Sequence, residues 1–453
     1  MANTYLERTV GTPDTNGNKK ATFSAWVKRS KIGTEQAMYV SRTSGTNFVR
    51  FRFDSDAINV TSNTSGTNYY ATTDAVYRDC NGWYHVVVAY DTTQATAANR
   101  IRIYVNGVEQ SKSASNYPSQ DATIYLLDSG NPQRVGANSS DAYFDGLMSH
   151  VHYTEGYAYA ASDFGSTDSD TGEWKINTSP SVSYGTNGFF WLKDDVATTD
   201  HSSNSNTFTV GGGTLTKTED CPSNIFATWN YLTSESWGGK TTEFNYLMSN
   251  GNTTFDTTGN ANYQQIGLST LGMTSGKYYM EIKTNTASRF IAGICNERVW
   301  TNGSVPYNNS NDAGLFYRYA PDIAYDTANY STGITGISDG NILGFALDMD
   351  NKNWYIHVNG TYMKSGDPTS GASGTGSISA ATSKDMFNHG EVFFCIADFS
   401  SSGSGMKGET NFGNGYFGTT AISSEGTNAS GIGKFEYDVP TGYTALSTKG
   451  LNE

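Results

Sequence analysis

Charged residues are scarce in this sequence, and their signs are unbalanced. Charged side chains make up only 16% of the 453 residues, and the formal net charge is −14. A negative charge argues against binding nucleic-acid phosphates through a basic groove, so we expect no nucleic-acid partner. The negative charge keeps a protein soluble and is compatible with a neutral ligand such as a glycan.

Signals for membranes, secretion and metal clusters are also missing. No run approaches the roughly 18 apolar residues of a membrane-spanning helix, and the first residues, "MANTYLERTV", lack a secretion signal. We therefore expect synthesis in a cytoplasm and no membrane insertion. The four cysteines form no CxxC pair, which argues against zinc. Cys295 and Cys395 lie in apolar runs, and we interpret them as buried free thiols.

What the sequence does contain is typical of strands joined by polar turns. Long runs of helix-favouring residues are absent, whereas Ser, Thr, Asn, Gly and Tyr dominate, with 49 Gly and 30 Tyr. Short alternating runs such as "TFSAWVKRS" recur about every ten residues. A short helical turn is expected near 162–164, and no long amphipathic helix is evident. We predict an all-β fold of the sandwich or jelly-roll type.

Two hairpins with the same ending stand about 250 residues apart. "NRIRIYVNG" and "NWYIHVNG" each alternate and then end in Asn-Gly. Asn-Gly best tolerates the two positive φ angles of a type I′ turn. The residues expected to point inward are Ile101, Ile103 and Val105 in the first hairpin and Trp354, Ile356 and Val358 in the second.

A polar tract separates the two halves of the chain. Residues 198–224 are rich in Thr, Ser, Asn and Gly and include Gly211–Gly213, which favours a final strand and a linker. We predict a first domain at 1–215, a linker at 216–244 and a second domain at 245–453. The second domain ends in a closing segment, "GYTALSTKGLNE".

The first half resembles a laminin-G-like, concanavalin-A-like lectin domain over roughly residues 3–215. The stretch "GWYHVVVAYDTTQATAANRIRIYVNGVEQ" carries the central hairpin of that family. "FDGLMSHVHYTEGYAYAASDFG" is similar to the last part of the domain as it occurs in bacteriophage virion proteins, and "GTNGFFWLKDD" looks like a connector of the same architectures.

The second half resembles a SPRY (B30.2-like) domain over about residues 245–420. The motifs, in order, are "SGKYYMEIKT", "AGICNE", "DGNILGFALDMDNKNWYIHVNG" and "NFGNGYF". Both families have concanavalin-A-like jelly rolls. The resemblance therefore implies an all-β chain with two concanavalin-A-like jelly-roll, or β-sandwich, domains in tandem.

A catalytic constellation is not evident. Glycanases of this shape need two carboxylates on one strand face, and no Glu-x-Asp-x-x-Glu run is present. Asp348 and Asp350 share a face but sit where a hairpin turns, which favours a turn role. His150 and His152 share a strand face without an obvious third metal ligand, which favours structural histidines. We expect a non-enzyme with no catalytic residues and no metal site.

Calcium has candidate ligands by composition alone. Asp141, Asp145, Asp194 and Asp195 lie in loop-like segments, where carboxylates can bind calcium. Solvated loops are the favoured interpretation. We therefore expect no cofactor, and calcium is left open.

Aromatic residues in loop-like segments are the candidate ligand-binding residues. Sugar sites combine aromatic platforms with polar rim groups, and in SPRY domains the partner surface is built from inter-strand loops. The segment "NERVWTNGSVPYNNSND" is therefore the first choice. The candidates are Arg298, Trp300 and Tyr307 in that segment, Tyr69 and Tyr70 in "SGTNYYATTD", and Tyr157 and Tyr159 in "EGYAYAASD".

The resemblances imply a virion protein of a tailed bacteriophage. The first hypothesis is an external appendage, of the tail-fibre or receptor-binding type, that adheres to a host surface glycan or protein. The strand pattern starts within the first residues and no shaft repeat is present, so a capsid-decoration or head-fibre role competes. A polysaccharide depolymerase is the opposing enzymatic alternative. We expect a virion-surface location with other virion proteins as partners, and a homo-oligomer is left open.

Overall fold

The chain divides into two compact units, Met1–Lys217 and Thr218–Glu453. A computed structural model describes residues 3–139, 141–193, 199–232, 248–258, 264–300, 313–325, 328–381, 384–399 and 405–452. Strands dominate both units, and the helices in the described part are short 3-10 turns. The predicted all-β fold is therefore confirmed. The predicted linker stays a prediction, since much of it lies outside the described residues.

The first unit contains two large sheets. Its described strands are β1 (Tyr5–Thr9), β2 (Lys20–Arg29), β3 (Gln36–Ser44), β4 (Asn47–Asp54), β5 (Ala57–Thr64), β6 (Thr67–Val76), β7 (Tyr84–Asp91), β8 (Ile101–Val105), β9 (Val108–Glu109), β10 (Ala114–Asn116), β11 (Pro132–Val135), β12 (Gly146–Glu155), β13 (Gly165–Thr167), β14 (Trp174–Ile176), β15 (Phe189–Trp191) and β16 (Thr209–Gly212). One sheet has the order β10-β6-β5-β4-β3-β11-β1-β16, and the other β15-β12-β2-β7-β8-β9. A hairpin, β13-β14, and the 3-10 turns Ala97–Arg100 and Ala161–Asp163 complete it.

The core of the first unit lies between these two sheets. Alternate residues of β2, β7 and β8 meet alternate residues of β4 and β5, because side chains on a strand point to opposite faces in turn. Core members include Phe23, Val86, Val88, Ile101, Ile103, Val105, Val49, Phe51, Ile58 and Val60. The inward residues predicted for the first hairpin are therefore confirmed.

The six-stranded sheet of the first unit is also covered on its outer face. Val87 and Tyr104 pack there against Phe164, with Trp174 of β14 beside them. A strand buried on both faces needs apolar residues at every position. This explains the continuous apolar run "VVVA" in β7.

The second unit repeats the two-sheet arrangement. Its described strands are β17 (Met248–Ser249), β18 (Thr254–Asp256), β19 (Gln264–Leu268), β20 (Lys277–Thr286), β21 (Ile291–Asn296), β22 (Gly314–Arg318), β23 (Asp322–Tyr325), β24 (Ala328–Tyr330), β25 (Ile342–Asp348), β26 (Asn353–Val358), β27 (Thr361–Tyr362), β28 (Val392–Phe399), β29 (Lys407–Asn411), β30 (Tyr416–Phe417), β31 (Thr420–Ala421) and β32 (Thr444–Ala445). Its 3-10 turns are Glu297–Trp300, Met363–Ser365, Pro368–Ser373, Ile378–Ala381, Asp385–Asn388 and Gly450–Asn452.

The sheets of the second unit enclose a second core. One sheet has the order β17-β18-β29-β20-β25-β26-β27, with β32 pairing with β20, and the other β19-β28-β21-β22-β23-β24. Core members include Met280, Ile282, Phe345, Trp354, Ile356, Ile294, Phe394 and Ile396, and Val358 packs at the edge. The second hairpin therefore also points inward as predicted.

Residues 425–446, here called the cover segment, lie over the outer face of the β20-β25-β26 sheet. Phe435, Val439 and Tyr443 of the cover segment form one cluster with Tyr279 of β20 and Tyr355 of β26. The outer face of this sheet is therefore apolar beneath the cover segment.

Both Asn-Gly turns have the predicted geometry. Asn106 and Gly107 have φ of 47° and 82°, and Asn359 and Gly360 have φ of 48° and 83°. Two consecutive positive φ angles define a type I′ turn. In each turn the asparagine side chain accepts a backbone N–H, from His85 in the first and Ile342 in the second.

Several local predictions can be compared with the structure. The cysteines are free thiols, with Cys295 and Cys395 buried as expected. His152 is buried against Phe190, with ring centroids 4.0 Å apart, which supports a structural role. Asp348 accepts the backbone N–H of Asn351 at 2.9 Å, as a turn residue does. No helix in the described ranges is both long and apolar enough to span a membrane.

Gly107→Ala is expected to destabilise the chain more than Gly130→Ala. Both glycines have positive φ, so alanine strains the backbone at each by about 1 kcal/mol or more. At Gly107 the added Cβ would also collide with the Trp174 ring, whereas nothing lies within 4 Å of it at Gly130. Chemical unfolding of the full-length chain measures both variants. Equal losses of unfolding free energy would contradict the packing role of Gly107.

Candidate functional site

The candidates Tyr69 and Tyr70 lie on strand β6, not on a loop as predicted. Ser65 and Gly66, with φ of 50° and 89°, form the turn, and β6 begins at Thr67. The turn-forming residues before the tyrosines therefore do form a turn, but the strand starts immediately after it. Tyr69 packs against the core, and Tyr70 is 36% exposed on the opposite face.

Tyr157 and Tyr159 form a surface pair in the segment after β12. Their rings are nearly parallel, with centroids 6.0 Å apart and an interplanar angle of 18°. Tyr157 is 44% exposed, while the Tyr159 hydroxyl accepts the backbone N–H of Ser183 at 2.8 Å. Tyr157 could therefore stack on a ligand, whereas Tyr159 is partly used in folding. Tyr157 and Tyr159 come directly after β12, a strand of the six-stranded sheet, whereas Tyr70 is on β6 of the eight-stranded sheet.

Arg298 lies in the 3-10 turn Glu297–Trp300. One of its terminal nitrogens contacts Asp385 Oδ2 at 3.3 Å, and His389 Nε2 lies 3.0 Å from the same oxygen. The Trp300 side chain and all of Tyr307 lie outside the described residues. The predicted rim formed by Arg298, Trp300 and Tyr307 therefore stays a prediction.

A groove of about 570 Å³ lies between the cover segment and the β26-β27 hairpin. Sequence reasoning did not predict it. The residues lining the groove are His357, Gly360, Tyr362, Gly366, Asp367, Pro368, Thr369, Thr427, Tyr437, Asp438, Val439, Pro440 and Thr441. Aromatic rings, carboxylates and hydroxyls in one concave space are the groups that ligand sites combine.

A buried chain of hydrogen bonds lies beneath the groove. The backbone N–H of Gly360 donates to His357 Nδ1 at 3.1 Å, so the ring proton belongs on Nε2. His357 Nε2 lies 2.7 Å from the Tyr279 hydroxyl, and that hydroxyl donates to Glu281 Oε1 at 3.1 Å. Burial lowers the pKa of His357 to about 4, so the imidazole is neutral at neutral pH. Both of its nitrogens are occupied within the chain.

Glu281 holds the cover segment in place. Its carboxylate accepts the backbone N–H of Glu436 at 2.9 Å and of Tyr437 at 2.8 Å, and Asn411 donates to it at 3.2 Å. Burial raises the pKa of Glu281 to about 7, against an ordinary 4.5. Because Glu281 is fully buried, it positions the groove wall and does not reach a ligand.

Two exposed carboxylates flank the groove in the same way. Asp367 Oδ1 accepts the Thr369 backbone N–H at 2.9 Å and its hydroxyl at 2.6 Å. Asp438 Oδ1 accepts the Thr427 backbone N–H at 2.7 Å and its hydroxyl at 2.8 Å. These hydrogen bonds lower the pKa of both aspartates. Each therefore stays ionised at neutral pH, with one oxygen fixed by threonine.

Tyr362 and Tyr437 supply the aromatic surfaces of the groove. Each ring meets the His357 ring edge-on, with centroids 5.1 Å and 5.2 Å apart. The Tyr362 hydroxyl is buried and has no hydrogen-bond partner within the described part of the chain. A buried unpaired hydroxyl costs free energy unless a ligand or water pairs with it. The Tyr362 ring lines the groove, and its buried hydroxyl can pair with a ligand hydroxyl only when the ring turns toward the groove.

The signals for this groove are present in the sequence but are separated. "GDPTSG" carries Asp367 and "YDVPTG" carries Asp438, and both are turn-forming Asp/Pro/Thr/Gly segments. Only the placement of the cover segment over β26 brings them to one groove. Local periodicity does not contain that information.

A metal site is not formed by the residues that are described. Within these ranges no group of three or more His, Cys, Asp or Glu side chains is placed to hold a metal ion. Asp141 accepts a hydrogen bond from Asn138, burial raises the pKa of Asp145, and Asp194 and Asp195 lie outside the description. Calcium binding therefore stays open, since two of its four candidate ligands lie outside the described residues.

A family model described as the concanavalin A-like lectin/glucanases superfamily matches residues 3–163. The match and the two-sheet architecture confirm the concanavalin-A-like, laminin-G fold predicted for the first half. No curated protein sequence matches the chain.

Solved structures show similarity at low sequence identity. The SPRY domain of human HERC1 is 15% identical, covering 40% of this chain and 96% of that chain, with a TM-score of 0.29. Mouse laminin alpha1 domains LG4-5 are 9% identical, covering 98% and 84%, with a TM-score of 0.30. Domain 4 of a Geobacillus stearothermophilus extracellular arabinanase, solved with arabinotriose, is 20% identical, covering 31% and 63%, with a TM-score of 0.25.

Glu281→Gln is expected to change how stability depends on pH. Because the folded-state pKa lies above 4.5, the stabilising contribution of Glu281 is complete below pH 4.5 and is lost as pH rises through about 7. Glutamine does not titrate. The unfolding free energy of the variant relative to the parent should therefore rise between pH 5 and pH 8 by on the order of 1–3 kcal/mol. Urea unfolding at both pH values measures this difference.

Glu425→Gln is the matched control, since Glu425 is an exposed glutamate of the same cover segment. The pH dependence found for Glu281→Gln is compared with that of this variant. His357 titrates in parent and variants alike, so its contribution cancels. A Glu281→Gln effect that does not depend on pH would show that the buried carboxyl is not the titrating group.

Proposed function

We propose that the protein is a non-enzymatic adhesion protein of a tailed-bacteriophage virion that binds a host surface glycan through the groove. The observation that carries this proposal is the groove itself. It joins Tyr362 and Tyr437 to the threonine-fixed carboxylates of Asp367 and Asp438. The fold of the first unit is one that lectins share, which is an argument by analogy.

The chemistry of the groove favours a polyhydroxylated ligand. Sugar rings present apolar faces that pack on aromatic side chains, and their hydroxyls donate to fixed carboxylates. Asp367 and Asp438 offer such acceptors, and the Tyr362 hydroxyl can pair with one further group when its ring turns toward the groove. A site built to hydrogen-bond hydroxyls strongly rejects ligands that lack them. We therefore assign selectivity to these three side chains.

The described residues that line the groove offer no pair of groups suited to glycoside hydrolysis. That reaction needs one carboxyl with a raised pKa as acid and a second carboxylate within reach. The carboxyl with a raised pKa, Glu281, is buried, whereas Asp367 and Asp438 have lowered pKa values. These properties support binding without turnover.

Tyr362→Phe should weaken glycan binding by about 3- to 10-fold, because it removes one hydroxyl and little else. Asp438→Asn should weaken it by at least as much, since a charged acceptor is lost. Glycans that bind the full-length protein are found on an array of host-surface saccharides, and affinities are then measured by calorimetry. Tyr325→Phe, a tyrosine of the same unit outside the groove, is the control and should bind as the parent does.

Two outcomes would contradict this assignment. Unchanged binding by Tyr362→Phe and Asp438→Asn, with loss on alanine substitution of Trp300 and Tyr307, would place the site at the rim predicted from the sequence. Release of reducing ends from a bound polysaccharide, abolished by one Asp or Glu substitution, would establish a depolymerase.

The virion location rests on the sequence resemblance to phage proteins. For a tail appendage we expect a few to tens of copies per particle, because a tail offers few attachment points. Quantitative mass spectrometry of purified virions, followed by a virion reconstruction, measures copy number and position. Hundreds of copies on the shell would instead establish capsid decoration, and absence from particles would contradict the virion role.

A further inference from the structure

The outer face of the eight-stranded sheet in the first unit carries a polar surface that the groove proposal does not use. On β4, β5 and β6 the residues alternate with those of the core, and the ladder register aligns them in rows across the strands. The rows are Phe48, Asn63 and Asn68; Arg50, Thr61 and Tyr70; and Arg52, Asn59 and Thr72. On neighbouring β3, Arg42 pairs with Phe48 and so extends the first row.

Three guanidinium groups share few acidic partners on this face. Arg52 takes the close pairs, 2.6 Å from Glu35 and 2.8 Å from Asp54. Arg50 reaches the same Glu35 oxygen only at 3.7 Å. Arg42 makes no hydrogen bond or ion pair with any described residue. Glu35 and Asp54 therefore pair closely with Arg52, whereas Arg42 and Arg50 have no carboxylate of the described chain at a comparable distance.

Arg50 in particular lacks a close acceptor. Its Nε is buried and has no hydrogen-bond partner among the described residues. Its guanidinium is held over the Phe48 ring at 4.6 Å, so its position is defined by packing. Burial, and then the like charges of Arg52 and Arg42, lower the pKa of Arg50, whereas Glu35 and the more distant Asp141 raise it. Oriented donors that repel each other favour a bound anion, since guanidinium and carboxylate groups pair bidentately.

An exposed aromatic ring lies in the same row as Arg50. Tyr70 stands two strands away, which is roughly 10 Å at the spacing of strands in a sheet. Between them, Thr61 donates to Asn59 Oδ1 at 2.7 Å, and Asn59 donates to Thr72 at 2.8 Å. Thr61 and Asn59 are themselves buried and bonded to each other. The groups of this face that a ligand can meet are therefore the Tyr70 ring at one side and the guanidinium groups at the other.

We propose that this face binds an acidic saccharide, with a sugar carboxylate between Arg42 and Arg50 and a neighbouring ring on Tyr70. A carboxylate supplies the acceptors that Glu35 does not, and a sugar supplies a ring that can stack on Tyr70. The protein is acidic overall, so non-specific attraction of polyanions is weak. Local guanidinium geometry must therefore provide the binding.

This site is independent of the groove, because every residue in it belongs to the first unit. A ligand of the groove and a ligand of this face can therefore be tested separately. Tyr362→Phe should leave binding at the sheet face unchanged, and substitutions on the sheet face should leave binding in the groove unchanged. Failure of one proposal does not decide the other.

The probe is tetragalacturonic acid, which carries a carboxylate on each ring, titrated into the full-length protein by calorimetry. Arg42→Gln and Arg50→Lys should each weaken binding about 10-fold or more, because lysine cannot replace the planar fork of arginine. Tyr70→Ala should weaken it to a similar degree. The carboxyl-reduced, neutral tetrasaccharide should bind at least about 10-fold more weakly than the acid.

Lys175→Gln is the control for net charge, since it removes an exposed cation of the first unit on the separate β13-β14 hairpin. It should bind the probe as the parent does. Arg42→Gln breaks no hydrogen bond or ion pair with a described residue, so it tests the proposal even if Arg50→Lys folds poorly. Equal affinity for acidic and neutral tetrasaccharides, no binding of the acid, or equal losses in Lys175→Gln and Arg42→Gln would overturn the proposal.

Discussion

Each unit depends on a buried glutamate that accepts backbone N–H groups from distant parts of the chain. Glu155 accepts from Asp14 and Asn187, and Glu281 accepts from residues 436–437. Segments that cross a sheet surface lose their water and often lack a ladder partner, so their N–H groups need another acceptor. A carboxylate accepts several at once, and burial raises its pKa in both units. The position of the surface segments, and with it the shape of the groove, follows from these contacts.

The two Asn-Gly hairpins show how one turn leads to different surfaces. Gly107 lies against the ring of Trp174, which fills the space beside the turn. The Trp174 Nε1 donates a hydrogen bond to His85 at 2.9 Å. At Gly360 an added Cβ would be 2.9 Å from the Tyr437 ring, and the space beside this turn stays open as the groove. The hairpin is shared, and the segment that crosses it determines whether a ligand has room.

The fold was predictable because burial on a strand has a period of two and Asn-Gly has few alternatives at a type I′ turn. Inward residues such as Ile103 and Ile356 follow from that periodicity. The placement of Tyr70 on a strand was harder to predict, because the turn-forming residues before it are followed directly by the first residues of β6. The groove was not predictable, since its walls at 366–369 and 427–441 meet only after the cover segment crosses the sheet. Long-range placement of this kind has no local signature.

The cover segment has little ladder pairing of its own. Within residues 425–446, all of them described, the named strand is the two-residue β32, and side-chain packing and Glu281 supply much of the rest of the attachment. Segments held in this way open at lower free energy than core strands. We therefore expect the groove to open at a lower free energy than that of unfolding the sandwich. A ligand would bind only the closed form. Its apparent affinity would therefore equal its affinity for the closed form multiplied by the fraction of molecules that are closed.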